Sequence, residues 1–226
     1  MNKTIRVAID GPSGAGKSTL ARSAAARLGY LYVDTGAIYR TIGCAVRRQG
    51  IDPGDQAAVV AALPALSIHL TYGADGLQHM ALNGEDVTAE IRLPEVSRYA
   101  SLVSAYPEVR AYLLEMQRQL AREHSVIMDG RDIGTVVLPD AEVKVFLTAS
   151  AEERARRRML ELEQRGTPEP YADILRAIEE RDWNDTHRAA APLRQAEDAV
   201  LLDTTDLDFA QSEEALLDII RKGAGR

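Results

Sequence analysis

Residues 11–18 read Gly-Pro-Ser-Gly-Ala-Gly-Lys-Ser, and this run constrains the fold more than any other part of the sequence. It fits the pattern G-x-x-x-x-G-K-[ST] of a phosphate-binding loop. Residues 5–10 before it are mostly apolar and β-branched, as in a buried strand. Residues 17–28 after it are rich in Ala and are followed by Gly29, as in a helix. The sequence therefore predicts a strand, a phosphate-binding loop and a helix, in that order.

The residue types in this loop suit a nucleoside triphosphate. Its glycines allow backbone conformations that aim several N–H groups at phosphate oxygens. The helix that begins near Lys17 adds the positive end of its dipole. Lys17 can reach the β- and γ-phosphates, and the Ser18 hydroxyl can ligate Mg²⁺. We therefore expect the triphosphate to be held by Gly11, Pro12, Ser13, Gly14, Ala15, Gly16, Lys17, Ser18 and Thr19.

Strand-like apolar runs recur along the chain and are separated by helical patterns. They cover residues 5–10, 30–34, 125–129, 142–148 and 199–203. Strands that alternate with helices form a parallel sheet covered on both faces. We therefore expect an α/β fold of the phosphate-loop NTPase type, in which a central five-stranded parallel sheet lies between two helical layers.

A different pattern lies between about residues 63 and 90. Residues 67–72 and 77–82 flank a turn at 73–76 and read as an antiparallel hairpin, and Asn83-Gly84 marks a second tight turn. A hairpin is foreign to a doubly wound core, so we expect a small antiparallel-sheet insert. His69 and His79 lie in this hairpin, and without a third ligand nearby we interpret them as ordinary hairpin residues.

Composition narrows the class of protein. The net charge of −7 over 226 residues supplies no global basic field for nucleic acid or an anionic membrane. The only cysteine, Cys44, excludes an internal disulfide and a zinc cluster of cysteines. No apolar run approaches the roughly 20 residues that span a bilayer. Residues 1–4 lead directly into the first predicted strand, so we expect no signal peptide and a cytoplasmic protein.

Three stretches rich in Arg and Asp could hold a phosphate acceptor: residues 34–40, 129–134 and 181–188. Phosphoryl transfer depends on positioning and on neutralising charge with Mg²⁺, Lys and Arg. Asp129 ends an apolar strand, the usual place for an acidic residue of the Mg²⁺ shell. The third stretch places Arg181, Asp185 and Arg188 on one helical face, although a charged surface helix would explain that spacing equally well.

Four segments together resemble bacterial cytidylate kinases: residues 11–17, Asp-Thr-Gly-Ala-Ile-Tyr-Arg at 34–40, Asp-Gly-Arg-Asp-Ile-Gly-Thr-Val-Val at 129–137, and Ala-Pro-Leu at 191–193. The similarity runs in the same order over nearly the full chain. It implies transfer of the γ-phosphoryl group of ATP to CMP or dCMP, with Mg²⁺, in pyrimidine nucleotide metabolism. It also implies a small-molecule enzyme that binds neither nucleic acid nor membrane, and we expect a monomer.

The resemblance implies one kinase domain with three parts. The core would cover about 1–38, 101–150 and 187–226, and a CMP-binding region with the hairpin insert about 39–100. A helical lid would cover about 151–170 and carry Arg154, Arg157 and Arg158, which otherwise read as part of a salt-bridged exposed face.

The same resemblance implies roles for individual residues. Thr35 and Arg40 would face the base and the α-phosphate of CMP. Ser101 and Arg110 would help to read cytosine, and Asp132 would accept from its exocyclic amine. Arg131 would bind phosphate, Arg181 and Asp185 would contact the sugar, and Arg188 would contact the base or phosphate. We expect Lys17, Arg131 and Arg157 to be catalytic and Ser18 and Asp129 to hold the metal.

Other readings of the chain remain open at this point. A phosphate-loop kinase could act on UMP, another nucleotide or a small metabolite such as a sugar. A GTPase-type switch would need an Asn-Lys-x-Asp guanine reader, which the sequence lacks, and a motor ATPase would want Glu where Gly130 follows Asp129. A nucleotide-binding domain without activity is disfavoured because Lys17 and the arginines are present. Trp183 is expected to pack under the lid rather than to stack on a base.

Overall fold

The computed structural model describes residues 4–74 and 76–225, which form eight strands and eight α-helices. The strands are β1 (Arg6–Asp10), β2 (Leu31–Asp34), β3 (Ile68–Tyr72), β4 (Gln78–Leu82), β5 (Glu85–Asp86), β6 (Val126–Gly130), β7 (Val143–Thr148) and β8 (Val200–Asp203). The helices are α1 (Lys17–Leu28), α2 (Thr35–Arg48), α3 (Gln56–Ala62), α4 (Pro94–Val103), α5 (Pro107–Glu123), α6 (Ala151–Gln164), α7 (Tyr171–His187) and α8 (Phe209–Gly223). Short 3-10 helices lie at Leu63–Ala65 and Glu90–Arg92, and a π-helical turn lies at Ile133–Val137.

The chain divides into two compact units. The first comprises the residues up to Tyr32 and those from Ala121 onward, and the second comprises Val33–Leu120. No helix in the described part of the chain is both long enough and apolar enough to cross a membrane.

The predicted five-stranded parallel sheet is confirmed, with the strand order β2-β6-β1-β7-β8. Strand β1 pairs in parallel with β6 and β7, and β7 pairs in parallel with β8. Each strand begins within one residue of its predicted position. The agreement follows from burial, because Val7, Ala8 and Ile9 of β1 are all fully buried and a strand covered on both faces must be apolar throughout.

Helices α1 and α8 build the core of the first unit together with the sheet. Leu20, Ala21 and Ala24 of α1 belong to the same buried cluster as Leu216 and Leu217 of α8. Small residues in α1 let the two helices and the sheet approach closely. Helix α1 ends at Leu28, and Gly29 after it forms a left-handed cap with a φ of 68°.

Helices α6 and α7 pack against each other through a small apolar cluster of Ala155, Leu162, Ile174 and Ile178. Ser150 caps α6 by accepting from the Glu153 amide at 3.1 Å. The carboxylate of Glu153 accepts from two arginines of its own helix, Arg156 and Arg157. The stretch 166–170, with Gly166 at a positive φ, separates the two helices.

The expectation that Trp183 packs under the lid is wrong. Its side chain is 63% exposed on α7. Its ring stacks on His187, one turn further along, with the ring centroids 3.5 Å apart. Since the two residues are four positions apart, both lie on the same face of α7, and that face is exposed.

The second unit contains the predicted hairpin. Strands β3, β4 and β5 form a three-stranded antiparallel sheet, in which Ile68 lies opposite Leu82 and Tyr72 opposite Gln78. Asn83 and Gly84 both adopt positive φ, 52° and 85°, as a tight hairpin turn requires. The turn predicted at 73–76 includes Asp75, which lies outside the described residues.

Gly43 sets the distance between α2 and α4 in the second unit. A Cβ atom at this position would lie 2.7 Å from the amide nitrogen of Ala100 and 3.0 Å from the carbonyl oxygen of Val96. Both atoms belong to the backbone of α4, so neither can move aside as a flexible side chain would. The two helices therefore pack at a separation that only Gly permits.

Replacing Gly43 with Ala should destabilise the protein, although Ala is the better helix former by about 1 kcal/mol. The clash with the α4 backbone should outweigh that gain and leave a net loss of about 1–3 kcal/mol, as overpacking usually does. Chemical denaturation measures the change. The matched control is Arg98→Ala, on an exposed position of α4, which should change the free energy of unfolding by less than about 0.5 kcal/mol. A Gly43→Ala protein as stable as the wild type would contradict the packing account.

Candidate active site

The phosphate-binding loop connects β1 to α1 and runs close to the end of β7. Gly11 has a φ of 151°, and a Cβ atom there would lie 1.9 Å from the carbonyl oxygen of Leu147. Gly14 and Gly16 also adopt positive φ, 77° and 86°. These conformations curl the loop over the N-terminus of α1, which begins at Lys17. The predicted strand, loop and helix are therefore present, and the strand begins one residue later than predicted.

Lys17 is buried at the first position of α1. Its Nζ atom donates to the carbonyl oxygen of Pro12 at 2.6 Å, which folds the side chain back over the loop. Burial and the nearby charge of Arg131 lower the pKa of Lys17 to about 7. A phosphate group beside this ammonium would favour its charged form and raise the pKa again.

A hydroxyl and a carboxylate meet beside this loop. Ser18 Oγ donates to Asp129 Oδ2 at 2.8 Å, and Tyr32 Oη donates to Asp129 Oδ1 at 2.8 Å. Asp129 ends β6, next to β1 in the sheet. The two predicted metal-shell residues, Ser18 and Asp129, thus lie in direct contact. The contribution of Tyr32 was missed, because nothing local in the sequence joins Tyr32 to Asp129.

Ser18 and Asp129 fit a magnesium ion. They offer oxygen ligands, which Mg²⁺ prefers, and Mg²⁺ in kinases takes only one or two protein ligands beside waters and substrate phosphates. Within the described residues, no group of three or more His, Cys, Asp or Glu side chains could hold a metal ion by itself.

Asp10, at the end of β1, anchors the segment that carries Arg131 and Asp132. Its two carboxylate oxygens accept from the amides of Ile133 and Gly134, each at 2.7 Å. Asp132 is buried at the start of the π-helical turn. Burial raises the pKa of Asp10 to about 6.

Arg131 and Asp185 form an ion pair. Arg131 Nε donates to Asp185 Oδ2 at 2.7 Å. Arg188 Nη1 lies 3.9 Å from Asp185 Oδ1. Burial alone would raise the pKa of Asp185, but the charges of Arg131, Arg181 and Arg188 lower it below its usual value. The structure therefore brings together four residues expected from the sequence, namely Arg131, Arg181, Asp185 and Arg188.

A second carboxylate–arginine cluster lies in the second unit. Asp34 caps α2 by accepting from the Ala37 amide at 2.9 Å. Its Oδ2 atom also accepts from Arg40 at 2.8 Å and from Arg92 at 3.1 Å. Although burial opposes the effect, these two guanidinium groups lower the pKa of Asp34. Arg92 was missed, because it follows the hairpin insert and no motif marks it.

The remaining residues expected around CMP occupy separate positions in the second unit. Thr35 is buried at the first position of α2. Arg110 lies over the ring of Tyr39 at 5.3 Å and donates to the carbonyl oxygen of Ser104 at 3.0 Å. Ser101 is exposed on α4.

The three arginines expected in the lid differ sharply in their surroundings. Arg154 is buried, and the exposed-face reading of this residue is wrong. Arg157 donates to the carbonyl oxygen of Thr204 at 2.6 Å, and its Nη1 atom lies 3.9 Å from where a Cβ of Gly16 would stand. Arg158 pairs with Glu161 on the surface of α6. Of the three, Arg154 and Arg157 lie against the phosphate-binding loop.

The fold and this set of residues define a phosphate-loop kinase. The loop, its Lys17 and the paired Ser18 and Asp129 have the residue types that bind a triphosphate and Mg²⁺ in such kinases. Arginines held by Asp185 supply further positive charge within the same compact unit.

Comparison with known proteins shows to which kinase family the chain belongs. The family described as cytidylate kinase matches residues 7–222. A cytidylate kinase of Caldicellulosiruptor bescii is 51% identical over 220 residues, which is 97% of each chain. One of Pelotomaculum thermopropionicum is 48% identical over 226 residues, 100% of this chain and 99% of the relative. The chain belongs to the cytidylate kinase family.

This membership confirms the resemblance that the four sequence segments carried, and with it the expectation of a nucleoside monophosphate kinase that uses ATP. Nothing in the comparisons favours a different acceptor. Among solved structures, an uncharacterized protein from Eubacterium ventriosum matches with a TM-score of 0.53 at 13% identity, covering 99% of this chain and 100% of that one. At that identity the likeness concerns the fold alone.

The raised pKa of Asp10 predicts a pH dependence of stability. The folded protein holds the Asp10 proton more tightly than the unfolded chain does, whose carboxyl titrates near 3.8. Stability should therefore fall as the pH rises from about 4 to 6, by up to about 3 kcal/mol. Asp10→Asn removes this titration. The wild-type free energy of unfolding, minus that of Asp10→Asn, should decline over this window in denaturation experiments.

The control for this measurement is Asp203→Asn. Hydrogen bonds from Thr205 lower the pKa of Asp203. The wild-type free energy of unfolding, minus that of Asp203→Asn, should therefore rise with pH, and this rise should be confined to the range below about pH 4. A difference for Asp10→Asn that stays constant between pH 4 and 7 would contradict the buried, proton-retaining carboxyl.

Proposed function

We propose that this protein transfers the γ-phosphoryl group of ATP to CMP or dCMP and that the residues of its first unit align the donor with the acceptor. The observation that carries this proposal is the placement of Arg131. Burial and, after it, the charge of Arg131 lower the pKa of Lys17 in the phosphate-binding loop, and the Arg131 guanidinium donates to Asp185 at 2.7 Å. One arginine thus lies within electrostatic reach of the donor loop and in contact with the proposed acceptor cluster.

On the donor side, residues 11–19 would hold the triphosphate through backbone amides and the N-terminus of α1. The Lys17 ammonium would contact the β- and γ-phosphates. Ser18 and Asp129 would hold Mg²⁺, which neutralises phosphate charge when it is bound. Tyr32 would keep the Asp129 carboxylate oriented toward Ser18, since it occupies the second oxygen at 2.8 Å.

On the acceptor side, we propose that the first unit contributes Arg131 to the phosphate, Asp132 to the base, Arg181 and Asp185 to the sugar, and Arg188 to base or phosphate. We propose that Thr35 and Arg40 face the base and the α-phosphate of CMP, and that Ser101 and Arg110 help to read cytosine. A buried carboxylate at Asp132 suits the exocyclic amine of cytosine. A base without that amine would leave the carboxylate unpaired and be rejected.

No catalytic base is required for this reaction. The acceptor is an anionic phosphate oxygen, so alignment and charge neutralisation suffice. Arg157 would stabilise the migrating phosphoryl group together with Lys17 and Arg131. Its position beside Gly16 supports that role.

We further propose a single catalytic domain with its core at about 1–38, 101–150 and 187–226, its CMP region at about 39–100, and its lid at about 151–170. The protein would act as a cytoplasmic monomer on small molecules. The net charge of −7, which disfavours binding to nucleic acid and to anionic lipid, supports this proposal.

An acceptor screen by coupled ADP release tests the proposed specificity. The wild type should turn over CMP and dCMP at least about a hundredfold better, in kcat/KM, than UMP or AMP, because an unpaired buried polar group is costly. Asp132→Ala should lose most of its activity on CMP and little of its weak activity on UMP. Asp206→Ala, an exposed carboxylate, serves as the control and should change neither.

Equal losses on CMP and UMP would remove Asp132 from base recognition. A wild type that uses CMP no better than UMP or AMP would refute the proposed acceptor.

A further inference from the structure

Arg154 has an environment unlike that of the other arginines on α6. Its Nε atom donates to the carbonyl oxygen of Ala149 at 2.8 Å. Its Nη1 atom donates to the carbonyl oxygen of Ser13 at 3.0 Å and to Asp182 Oδ1 at 3.1 Å, and its Nη2 atom donates to Asp182 Oδ2 at 2.6 Å. We call this set of contacts the Arg154 bridge.

The Arg154 bridge joins three separate segments of the first unit. Ser13 belongs to the phosphate-binding loop, Ala149 follows β7, and Asp182 lies on α7. The stem of Arg154 also packs against the loop, because its Cβ lies 3.5 Å from where a Cβ of Gly14 would stand. Arg154 makes four hydrogen bonds from three nitrogens of one planar group, whereas an ammonium has only three donors on a single nitrogen.

The carboxylate end of the bridge adjoins the proposed acceptor cluster. Asp182 stands next to Arg181 and three positions before Asp185, which is nearly one helical turn. Asp185 accepts from Arg131 at 2.7 Å. Helix α7 is therefore tied at Asp182 to the donor loop and at Asp185 to the segment after β6.

Burial makes the bridge stiff. The Arg154 side chain is 5% exposed and the Asp182 side chain 26%. A buried ion pair with several hydrogen bonds loses much when one partner is removed, because the remaining charge is left uncompensated. The bridge should therefore have one well-defined geometry rather than several.

We propose that Arg154 and Asp182 are positioning residues that set the distance between the phosphate-binding loop and the arginines of α7. The proposal rests on the proposed placement of donor and acceptor in this unit. Arg154 acts through the Ser13 carbonyl and through Asp182 and does not itself contact the transferred phosphoryl group. In-line transfer is sensitive to displacements of about 1 Å, so a loosened bridge should slow the chemical step more than it weakens either substrate's binding.

The test compares Asp182→Asn, Arg154→Lys and the double variant in steady-state kinetics, with rates normalised to the folded fraction. Each single variant should lower kcat at least tenfold while the KM values for ATP and CMP change by less than about threefold. The double variant should be no worse than the poorer single one by more than about threefold, since both break the same bridge. Asp173→Asn and Arg176→Lys, the two partners of an exposed ion pair on α7, are matched controls and should keep wild-type kcat.

Three kinetic results would overturn the proposal. The first is unchanged kcat in folded variants that lose only thermal stability. The second is multiplicative losses in the double variant, which would mean independent roles. The third is a loss of kcat in Arg154→Lys without one in Asp182→Asn, which would place Arg154 on the phosphoryl group instead.

Hydrogen exchange with a non-hydrolysable ATP analogue and Mg²⁺ tests the bridge without turnover. In the wild type, binding should slow exchange in the loop and also in residues 171–187. In Asp182→Asn it should slow exchange in the loop alone. Equal protection of α7 in both proteins would contradict the proposed positioning role of Arg154 and Asp182. Failure of the wild type to phosphorylate CMP would contradict only the proposed acceptor.

Discussion

The close approach of the phosphate-binding loop to β7 is the constraint on which the rest of the first unit depends. A Cβ atom at Gly11 would lie 1.9 Å from the Leu147 carbonyl oxygen, so the chain can pass there only without a side chain. This passage places Lys17 at the start of α1 and turns Ser18 toward Asp129. It also brings the Ser13 carbonyl within reach of Arg154. One steric requirement therefore organises the phosphate-binding loop and its connection to α6.

Carboxylates that orient arginines are the second recurring device. Asp185 holds Arg131 near Arg188, and Asp34 holds Arg40 and Arg92. In each cluster more positive than negative charge is gathered, which keeps the pKa of the carboxylate low despite burial. Such clusters suit phosphate, because guanidinium groups fixed in advance lose little freedom when an anion binds.

The parts of the structure that were predictable from sequence depend on local patterns. The five core strands are continuous apolar runs, the loop has a defined spacing, and Asn83-Gly84 dictates a tight turn. The four segments that carried the family resemblance are likewise contiguous in sequence. Each of these features could be predicted from neighbouring residues alone.

Long-range contacts were not predictable in this way. Tyr32 meets Asp129 across 97 positions, Arg92 meets Asp34 across 58, and Arg154 meets Ser13 across 141. The periodicity of apolar residues in the sequence does not indicate which distant residues will be in contact. The exposed Trp183 was misplaced for a related reason, because apolar character favours burial on average, whereas the small contact of α6 with α7 needs only the face that carries Ile174 and Ile178.

The central claim is that one protein chain binds the triphosphate donor and CMP at once, with their phosphates aligned for transfer. Calorimetric titration with adenosine and cytidine joined 5′ to 5′ through a pentaphosphate tests it most directly. The account predicts one molecule bound per chain, more tightly than either nucleotide alone, and displaced by ATP and by CMP. Displacement by ATP but not by CMP would contradict it.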